Sequence, residues 1–304
     1  MRSDVGTETI AGNLLVRGVR QTGVILEMIK IEHTVFMLPF ALMAAMVAAR
    51  HDWARLGHAL PWILLAMVGA RSAAMAFNRL VDREFDARNP RTASRALPAG
   101  LLSVPQVVIF TIIASLLLVL AAYKLNPLAF ALSPVALALA LGYSYTKRFT
   151  SFSHFFLGLA LSVAPVGAWI AVTGRIEPPA LWLGAAVVCW LFGFDILYAL
   201  QDADFDRASG LHSMPARLGN AGALVVSRLA HLVMIGFLVM VGVSAGLGFI
   251  YFGAVVLVAG LIGWEQSLVK ANDLSRINLA FFTLNGYVSV GLFLLTLLDV
   301  LLRR

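Results

Sequence analysis

Apolar runs of about 20 residues recur along this chain from near residue 24 to residue 301. Each is long enough to cross the ~30 Å core of a bilayer as a helix rising ~1.5 Å per residue. Lipid offers no partner to a bare N–H or C=O, so a run of this kind is committed to a helix that satisfies its own backbone. Nine spans are read, at about 24–49, 61–78, 105–122, 127–145, 154–173, 179–200, 222–242, 246–262 and 279–301. Pro39, Pro134 and Pro165 fall inside spans and are expected to kink them. Composition agrees, since 60% of the 304 residues are hydrophobic and only 13% are charged. A soluble surface needs more charge than that. The expected fold class is an all-α polytopic membrane protein, with about nine transmembrane helices in one bundle.

The net charge of +7 suits basic loops facing an anionic leaflet better than it suits nucleic acid, and no nucleic-acid partner is expected. With the N-terminus inside, fifteen Lys and Arg residues fall on inner segments and six on outer ones. That bias favours an N-terminus in the cytoplasm and a C-terminus outside. The single Cys189 lies in an apolar run, which leaves no disulfide framework and no thiolate metal site. The first ~20 residues are polar, and no cleavable signal peptide is read there.

Against this apolar background two acidic clusters stand out. The first is Asn-Arg-Leu-Val-Asp-Arg-Glu-Phe-Asp over residues 78–86, and the second is Asp-Ala-Asp-Phe-Asp over 202–206. Asn78, Asp82 and Asp86 are four apart, as are Asp202 and Asp206. On a helix that spacing stacks side chains on one face. The bland reading is a solvated helix end. The strict spacing and the second copy favour a pair of sites in which oxygen ligands hold Mg²⁺, bridging to a bound diphosphate. Asp204 falls on another face and is expected to be solvated.

Other polar residues fall near these clusters. Arg71 precedes Asn78 by seven residues, two helical turns deeper. It is read either as a bidentate grip on a carboxylate or phosphate or as a salt bridge, with Asp195 a possible partner. Asp195 precedes Asp202 by the same seven residues. An ionisable residue at that depth is expensive and therefore a functional candidate. Its alternative is a pairing with an Arg of a neighbouring helix. Tyr143 and Lys147 form a Tyr-x-x-x-Lys pair, read as diphosphate contacts or as an interfacial anchor. Arg148 is read as an anchor. The segment 88–100 is either a linker or a cap that closes over the diphosphate and excludes water, with Arg91 and Arg95 as phosphate ligands. Glu32 and His33 mark a polar entry to the first span, and His33 lacks a second ligand at metal spacing.

Asp82 and Asp202 are 120 residues apart, with four spans per period. The chain is read as one domain, 1–304, of two parallel pseudo-repeats, about 24–145 and 154–262, followed by a last helix at 279–301. An even number of spans per period relates such modules by an axis along the membrane normal. The two clusters would then face each other across one cavity.

These motifs resemble those of the UbiA superfamily of intramembrane aromatic prenyltransferases, and the resemblance covers essentially the whole chain. It is carried by 78–86 with the trailing Arg-Thr-Ala-Ser-Arg-Ala-Leu-Pro-Ala-Gly (91–100), by Tyr-Ser-Tyr-Thr-Lys-Arg (143–148), and by Asp-Ile-Leu-Tyr-Ala-Leu-Gln-Asp-Ala-Asp-Phe-Asp (195–206). Arg71 occupies a position usual in the 4-hydroxybenzoate branch. Many members have Asn-Asp where this chain has Asn78-Arg79. The stretches 32–40 and 205–219 look like a bacterial group labelled 4-hydroxybenzoate polyprenyltransferase, part of which serves menaquinone synthesis by the futalosine route. The resemblance implies nine helices around a central cavity open sideways to lipid, in a bacterial inner membrane. The active-site loops would face the cytoplasm. It implies a polyprenyl diphosphate donor and Mg²⁺ as cofactor, held by Asn78, Asp82, Asp86, Asp202 and Asp206. Asp82 and Asp202 then carry the catalytic metal. Arg71 would hold the acceptor carboxylate or the diphosphate, and Asp195 would act on the phenol side. The acceptor would be a small hydroxylated aromatic acid, prenylated ortho to its phenol oxygen for quinone synthesis, and no protein partner is evident.

Three other readings compete. The same chemistry on a dihydroxynaphthoate would serve menaquinone, and the superfamily also uses haem, chlorophyll side chains, homogentisate and glycerol-phosphate lipids. A transporter would share the repeats and the buried charge. A structural scaffold would leave both acidic clusters unexplained.

Overall fold

The computed structural model describes residues 23–29 and 34–303, with nothing said of the side chains of Thr34 and Val35. Glu32 and His33 lie outside the described residues, as do Arg2, Arg17, Arg20, Lys30 and the polar N-terminal stretch. A short helix α1 (23–28) is followed by α2 (Thr34–Ala49), α3 (Trp53–Arg88), α4 (Val104–Leu125), α5 (Pro127–Gly142), α6 (Ser153–Thr173), α7 (Pro178–Ala199), α8 (Ala203–Ala208), α9 (Met214–Ala245), α10 (Phe249–Leu268) and α11 (Asn285–Leu302). Among the described residues, eight helical segments are long and apolar enough to cross a membrane, and a shorter apolar helix covers Phe36–Ala49. The architecture is the expected all-α membrane bundle.

Local sequence accounts for the joints. Asp52 caps α3 by accepting from the Arg55 backbone N–H at 2.9 Å. Ser103 and Gln106 form a capping box at the start of α4, with proline in its first turn. Asn126 does double duty between α4 and α5. Its carbonyl accepts from the Ala129 N–H at 2.9 Å, and its amide donates to the Ile170 carbonyl of α6 at 2.8 Å. Gly174 and Gly246 end α6 and α9 in the left-handed conformation that glycine adopts without strain.

Several boundaries differ from the sequence reading. α3 runs ten residues past the expected end at 78, because the acidic cluster continues the helix. α9 starts eight residues before the expected 222 and carries a non-helical Gly219 at φ 68°. Pro61 joins Pro39, Pro134 and Pro165 as a proline inside a helix. The last span opens with a π-helical turn, Leu279–Leu284, before α11.

α7 is the most enclosed span, packed chiefly against α6 and α9. Its Trp190 is fully buried, 4.9 Å from the ring of Phe40 and 4.9 Å from that of Phe194. The Trp190 indole donates to Asn285 Oδ1 at 2.6 Å, which ties α7 to α11. Two glycines set helix spacing. A Cβ at Gly69 would lie 2.7 Å from the Leu118 backbone N of α4. A Cβ at Gly158 would lie 2.7 Å from the Val188 carbonyl O of α7. Bare backbone at these points lets α3 approach α4 and α6 approach α7, as small residues do in membrane bundles.

Candidate active site

The C-terminal ends of α3, α5 and α7 and the N-terminal end of α6 converge on one end of a cavity of about 1550 Å³. Every residue expected to hold metal, diphosphate or acceptor lines it: Asn78, Asp82, Asp86, Asp202, Asp206, Arg71, Asp195, Tyr143, Lys147, Arg91 and Arg95. The charged residues gather at the end where the helices finish. The walls further along are apolar, with Leu64, Val68, Leu118, Leu132 and Val135 among them.

The first cluster sits on continuous α3, so its four-residue spacing stacks as expected. Asn78 Nδ2 donates to Asp82 Oδ2 at 2.9 Å and reaches Ser144 Oγ at 3.5 Å. Lys147 and Arg148 lie near Asp82. Asp86 accepts from Arg95 at 2.6 Å and has Arg79 at 3.8 Å. The second cluster is less regular. Asp202 ends a 3-10 turn (Leu200–Asp202), while Asp206 belongs to α8. Asp206 is buried, and its Oδ2 has no hydrogen-bond partner among the described residues. Asp204 is solvated, as expected, with Arg207 at 3.0 Å.

The loop after α3 ties the two clusters together. Arg91 Nε donates to Asp202 Oδ1 at 3.0 Å and Nη2 to Oδ2 at 2.5 Å. Its guanidinium lies 5.6 Å from the Tyr198 ring centroid. Burial works against the Arg91 charge, but the hydrogen bonds and charge of Asp202 hold its pKa above the ordinary arginine value. Thr92 Oγ1 donates to the Asp86 carbonyl at 3.1 Å and Asn89 Oδ1 accepts from the Arg91 N–H at 2.9 Å. These bonds fix the loop against the cavity, whereas a plain linker would need none.

Three readings of single residues change. Asp195 pairs with a histidine, His154, Nδ1 to Oδ2 at 2.7 Å. Arg148 is more than an anchor: it donates to the Val81 carbonyl at 2.7 Å and covers the rings of Phe85 and Tyr145 at 5.5 and 5.3 Å. Tyr143 and Lys147 lie on a 3-10 helix, Tyr143–Arg148, where residues three apart eclipse and residues four apart do not. Both still line the cavity.

The donor set suits a hard divalent ion. It consists of carboxylates and an amide, with no thiolate and no imidazole pair. Among the described residues no three His, Cys, Asp or Glu side chains converge as a ready cage. Magnesium seldom uses such a cage, keeping waters and binding through one or two carboxylates plus phosphate oxygens. The unpartnered, buried oxygen of Asp206 is an acceptor that a cation would satisfy.

The sequence reading missed Arg79, Ser144 and His154 as members of this site. In the sequence Arg79 reads only as a departure from the motif. It is buried and faces Asp86. His154 carried a usable signal, an ionisable residue at the mouth of an apolar run.

A model of the UbiA prenyltransferase family matches residues 37–287, most of the chain. The chain belongs to this family. It is a prenyltransferase and an integral membrane protein. It is 32% identical over 254 residues to a 4-hydroxybenzoate octaprenyltransferase of Aliivibrio fischeri, covering 83% of this chain and 86% of that one. A UbiA homolog from Aeropyrum pernix K1, solved in its apo form, superposes with a TM-score of 0.79 at 33% identity, covering 88% of this chain and 98% of its own. A UbiA homolog from Archaeoglobus fulgidus, solved with DMAPP and Mg²⁺, shares the fold at a TM-score of 0.63 and 17% identity, covering 88% of this chain and 98% of its own.

Proposed function

We propose that this UbiA-family enzyme transfers a polyprenyl group from a polyprenyl diphosphate to a hydroxylated aromatic acid of the 4-hydroxybenzoate type. The observation that carries the reading is the single cavity. It has two carboxylate clusters and five cationic side chains at one end and apolar walls beyond. A diphosphate head and a prenyl tail need those two environments in that order.

Asn78, Asp82, Asp86, Asp202 and Asp206 would hold Mg²⁺, which when bound neutralises the diphosphate and makes it a better leaving group. Arg91, Arg95 and Lys147 bind the diphosphate oxygens, with Tyr143 beside them. Each arginine exchanges a carboxylate partner for a phosphate one. The loop 89–103 lies over the charged end and keeps water from the allylic cation. The prenyl chain runs along the apolar wall. Arg71, roughly 10 Å deeper than Asn78 along α3, grips the acceptor carboxylate. The acceptor ring carbon ortho to the phenol oxygen forms the new bond as the allylic C–O bond breaks.

The equal 120-residue separations of Asp82 from Asp202 and of Asp86 from Asp206 support a reading of the two halves as parallel pseudo-repeats. The excess of Lys and Arg at the charged end supports an orientation with that end towards the cytoplasm, in a bacterial inner membrane.

The test is a prenylation assay in detergent with Mg²⁺, one long-chain polyprenyl diphosphate, and 4-hydroxybenzoate or a dihydroxynaphthoate. Wild type and Asp82→Ala are run side by side. Prenylated 4-hydroxybenzoate from wild type alone, dependent on Mg²⁺, is the expected result. Product from the naphthoate alone would move the acceptor to the menaquinone series. Product that persists in Asp82→Ala would overturn the assignment of the first cluster.

A further inference from the structure

We propose that His154, held by Asp195, is the catalytic base that takes the proton released when the aromatic acceptor is prenylated. The inference rests on the prenyltransferase reading above and adds the group that completes its chemistry.

The reaction needs such a group. The allylic C–O bond of the donor breaks and its electron pair leaves with the diphosphate. The acceptor ring supplies the pair for the new C–C bond at the carbon ortho to its hydroxyl. That carbon then carries one hydrogen too many, and a proton must leave for the ring to regain aromaticity. The polar groups nearest the diphosphate are poorly suited to receive it. Asp86 is held by Arg95 and Arg79, Asp202 by Arg91, and Asp82 by Asn78. All of them face the cationic end.

The His154–Asp195 pair is placed differently. Asp195 is seven residues before Asp202, roughly 10 Å further along the helix axis. Arg71 is seven residues before Asn78, at the same step on α3. Arg71 and Asp195 each line the cavity two turns before the acidic cluster of their own segment, and His154 of α6 meets Asp195 there. In the proposed pose an acceptor gripped through its carboxylate at Arg71 turns its hydroxyl edge towards this pair.

The dyad is built for proton transfer. An ionised Asp195 can only accept, so Nδ1 of His154 donates across the 2.7 Å contact. That fixes the tautomer and leaves a lone pair on Nε2. His154 lines the cavity, is 1% exposed, and its Nε2 has no partner among the described residues. A structural histidine at such a depth would use both ring nitrogens, as His231 does with Gln266 and the Trp190 carbonyl. Once Nε2 takes the proton, the Asp195 carboxylate stabilises the imidazolium, the logic of acid–histidine pairs generally. The close approach of α6 and α7 at Gly158, one turn beyond His154, holds the two side chains together.

The experiment compares wild type, His154→Ala and His154→Gln, each with Mg²⁺ and a polyprenyl diphosphate. The acceptor carries hydrogen or deuterium at the ring positions ortho to its hydroxyl. His154→Gln keeps an amide able to bond Asp195 but has no basic nitrogen. We expect kcat to fall by roughly a hundredfold or more in both variants, with KM for both substrates and donor binding little changed. Proton loss becomes the slow step, so a ring-deuterium isotope effect appears in the variants that is smaller or absent in wild type. Added imidazole partly restores His154→Ala. A rise in acceptor KM with kcat retained would make His154 a binding group and overturn the proposal. So would full kcat in His154→Gln, the deciding variant where His154→Ala loses donor binding through misfolding. Wild type that forms no prenylated ring overturns the functional reading itself, and the wild-type arm reports that separately.

Discussion

Arg91 and Asp202 are 111 residues apart in sequence and joined by two parallel hydrogen bonds, at 3.0 and 2.5 Å. Arg91 belongs to the loop that follows the first acidic cluster, and Asp202 opens the second. The pair therefore links the two halves of the cavity across its mouth. A guanidinium matches a carboxylate and a phosphate with the same fork, so one side chain can hold Asp202 closed without donor and bind diphosphate when it arrives.

Arg91→Ala should accordingly have two opposite effects. The KM for the polyprenyl diphosphate should rise by about tenfold, the lower end of what charge-assisted hydrogen bonds contribute at a partly exposed site. Mg²⁺ binding in the absence of donor should tighten, because Asp202 is released. Steady-state kinetics reads the first and Mg²⁺-dependent thermal stabilisation the second. Tighter Mg²⁺ binding without a KM change would remove Arg91 from the diphosphate site.

Asp206 predicts a trade between stability and activity. Its side chain is 2% exposed and one carboxylate oxygen lacks a partner among the described residues. A buried, half-satisfied carboxylate weakens the metal-free fold. Asp206→Asn should raise the melting temperature of the metal-free protein by a few degrees, on the order of 1 kcal/mol. It should also abolish turnover and the stabilisation given by Mg²⁺ with diphosphate. A variant that is less stable without metal would show that the carboxylate is satisfied in a way this geometry does not contain.

Much of this was written in the sequence because membrane helices obey local rules. Apolar length gave the spans, and four-residue spacing put Asn78, Asp82 and Asp86 on one face of α3. What local rules could not give was contact between segments. The pairing of Arg91 with Asp202 depends on how a loop folds back, and no periodicity encodes that. The histidine that meets Asp195 lies 41 residues away on another helix, and no spacing within α7 encodes it. The acidic cluster at 202–206 read as one helix, but the turn before α8 tightens to 3-10 and shifts Asp202 relative to Asp206.

Asn285 is the clearest structural anchor outside the cavity. It accepts from the Trp190 indole at 2.6 Å, and its amide donates to the carbonyls of Ala280 and Phe281, at 3.1 and 3.2 Å, where the π-turn opens. All these atoms are buried. Asn285→Ala should leave the indole N–H unsatisfied and cost about 2–3 kcal/mol, seen as a lower melting temperature in detergent. Affinity for the donor should hold at temperatures where the variant stays folded. A neutral effect would mean that α11 repacks against Trp190 without this bond.

Gly158 joins packing to chemistry. It sits one turn beyond His154 on α6, and an added Cβ would meet the Val188 carbonyl of α7 at 2.7 Å. That atom is backbone in a packed helix and cannot swing away. Gly158→Ala must therefore push α6 from α7 by several tenths of an ångström, one turn from His154 and two turns from Asp195 on the same pair of packed helices. Helix propensity favours alanine by up to ~1 kcal/mol, which offsets part of the packing loss, so the fold should survive with a modest drop in melting temperature. Turnover should fall much further, because a hydrogen bond of 2.7 Å is lost on a small displacement. The measurement is kcat beside thermal stability, with Gly260→Ala of α10 as the control, where a Cβ meets nothing within 4 Å. If Gly158→Ala loses kcat no more than Gly260→Ala does, the His154–Asp195 contact does not depend on the close approach of these helices.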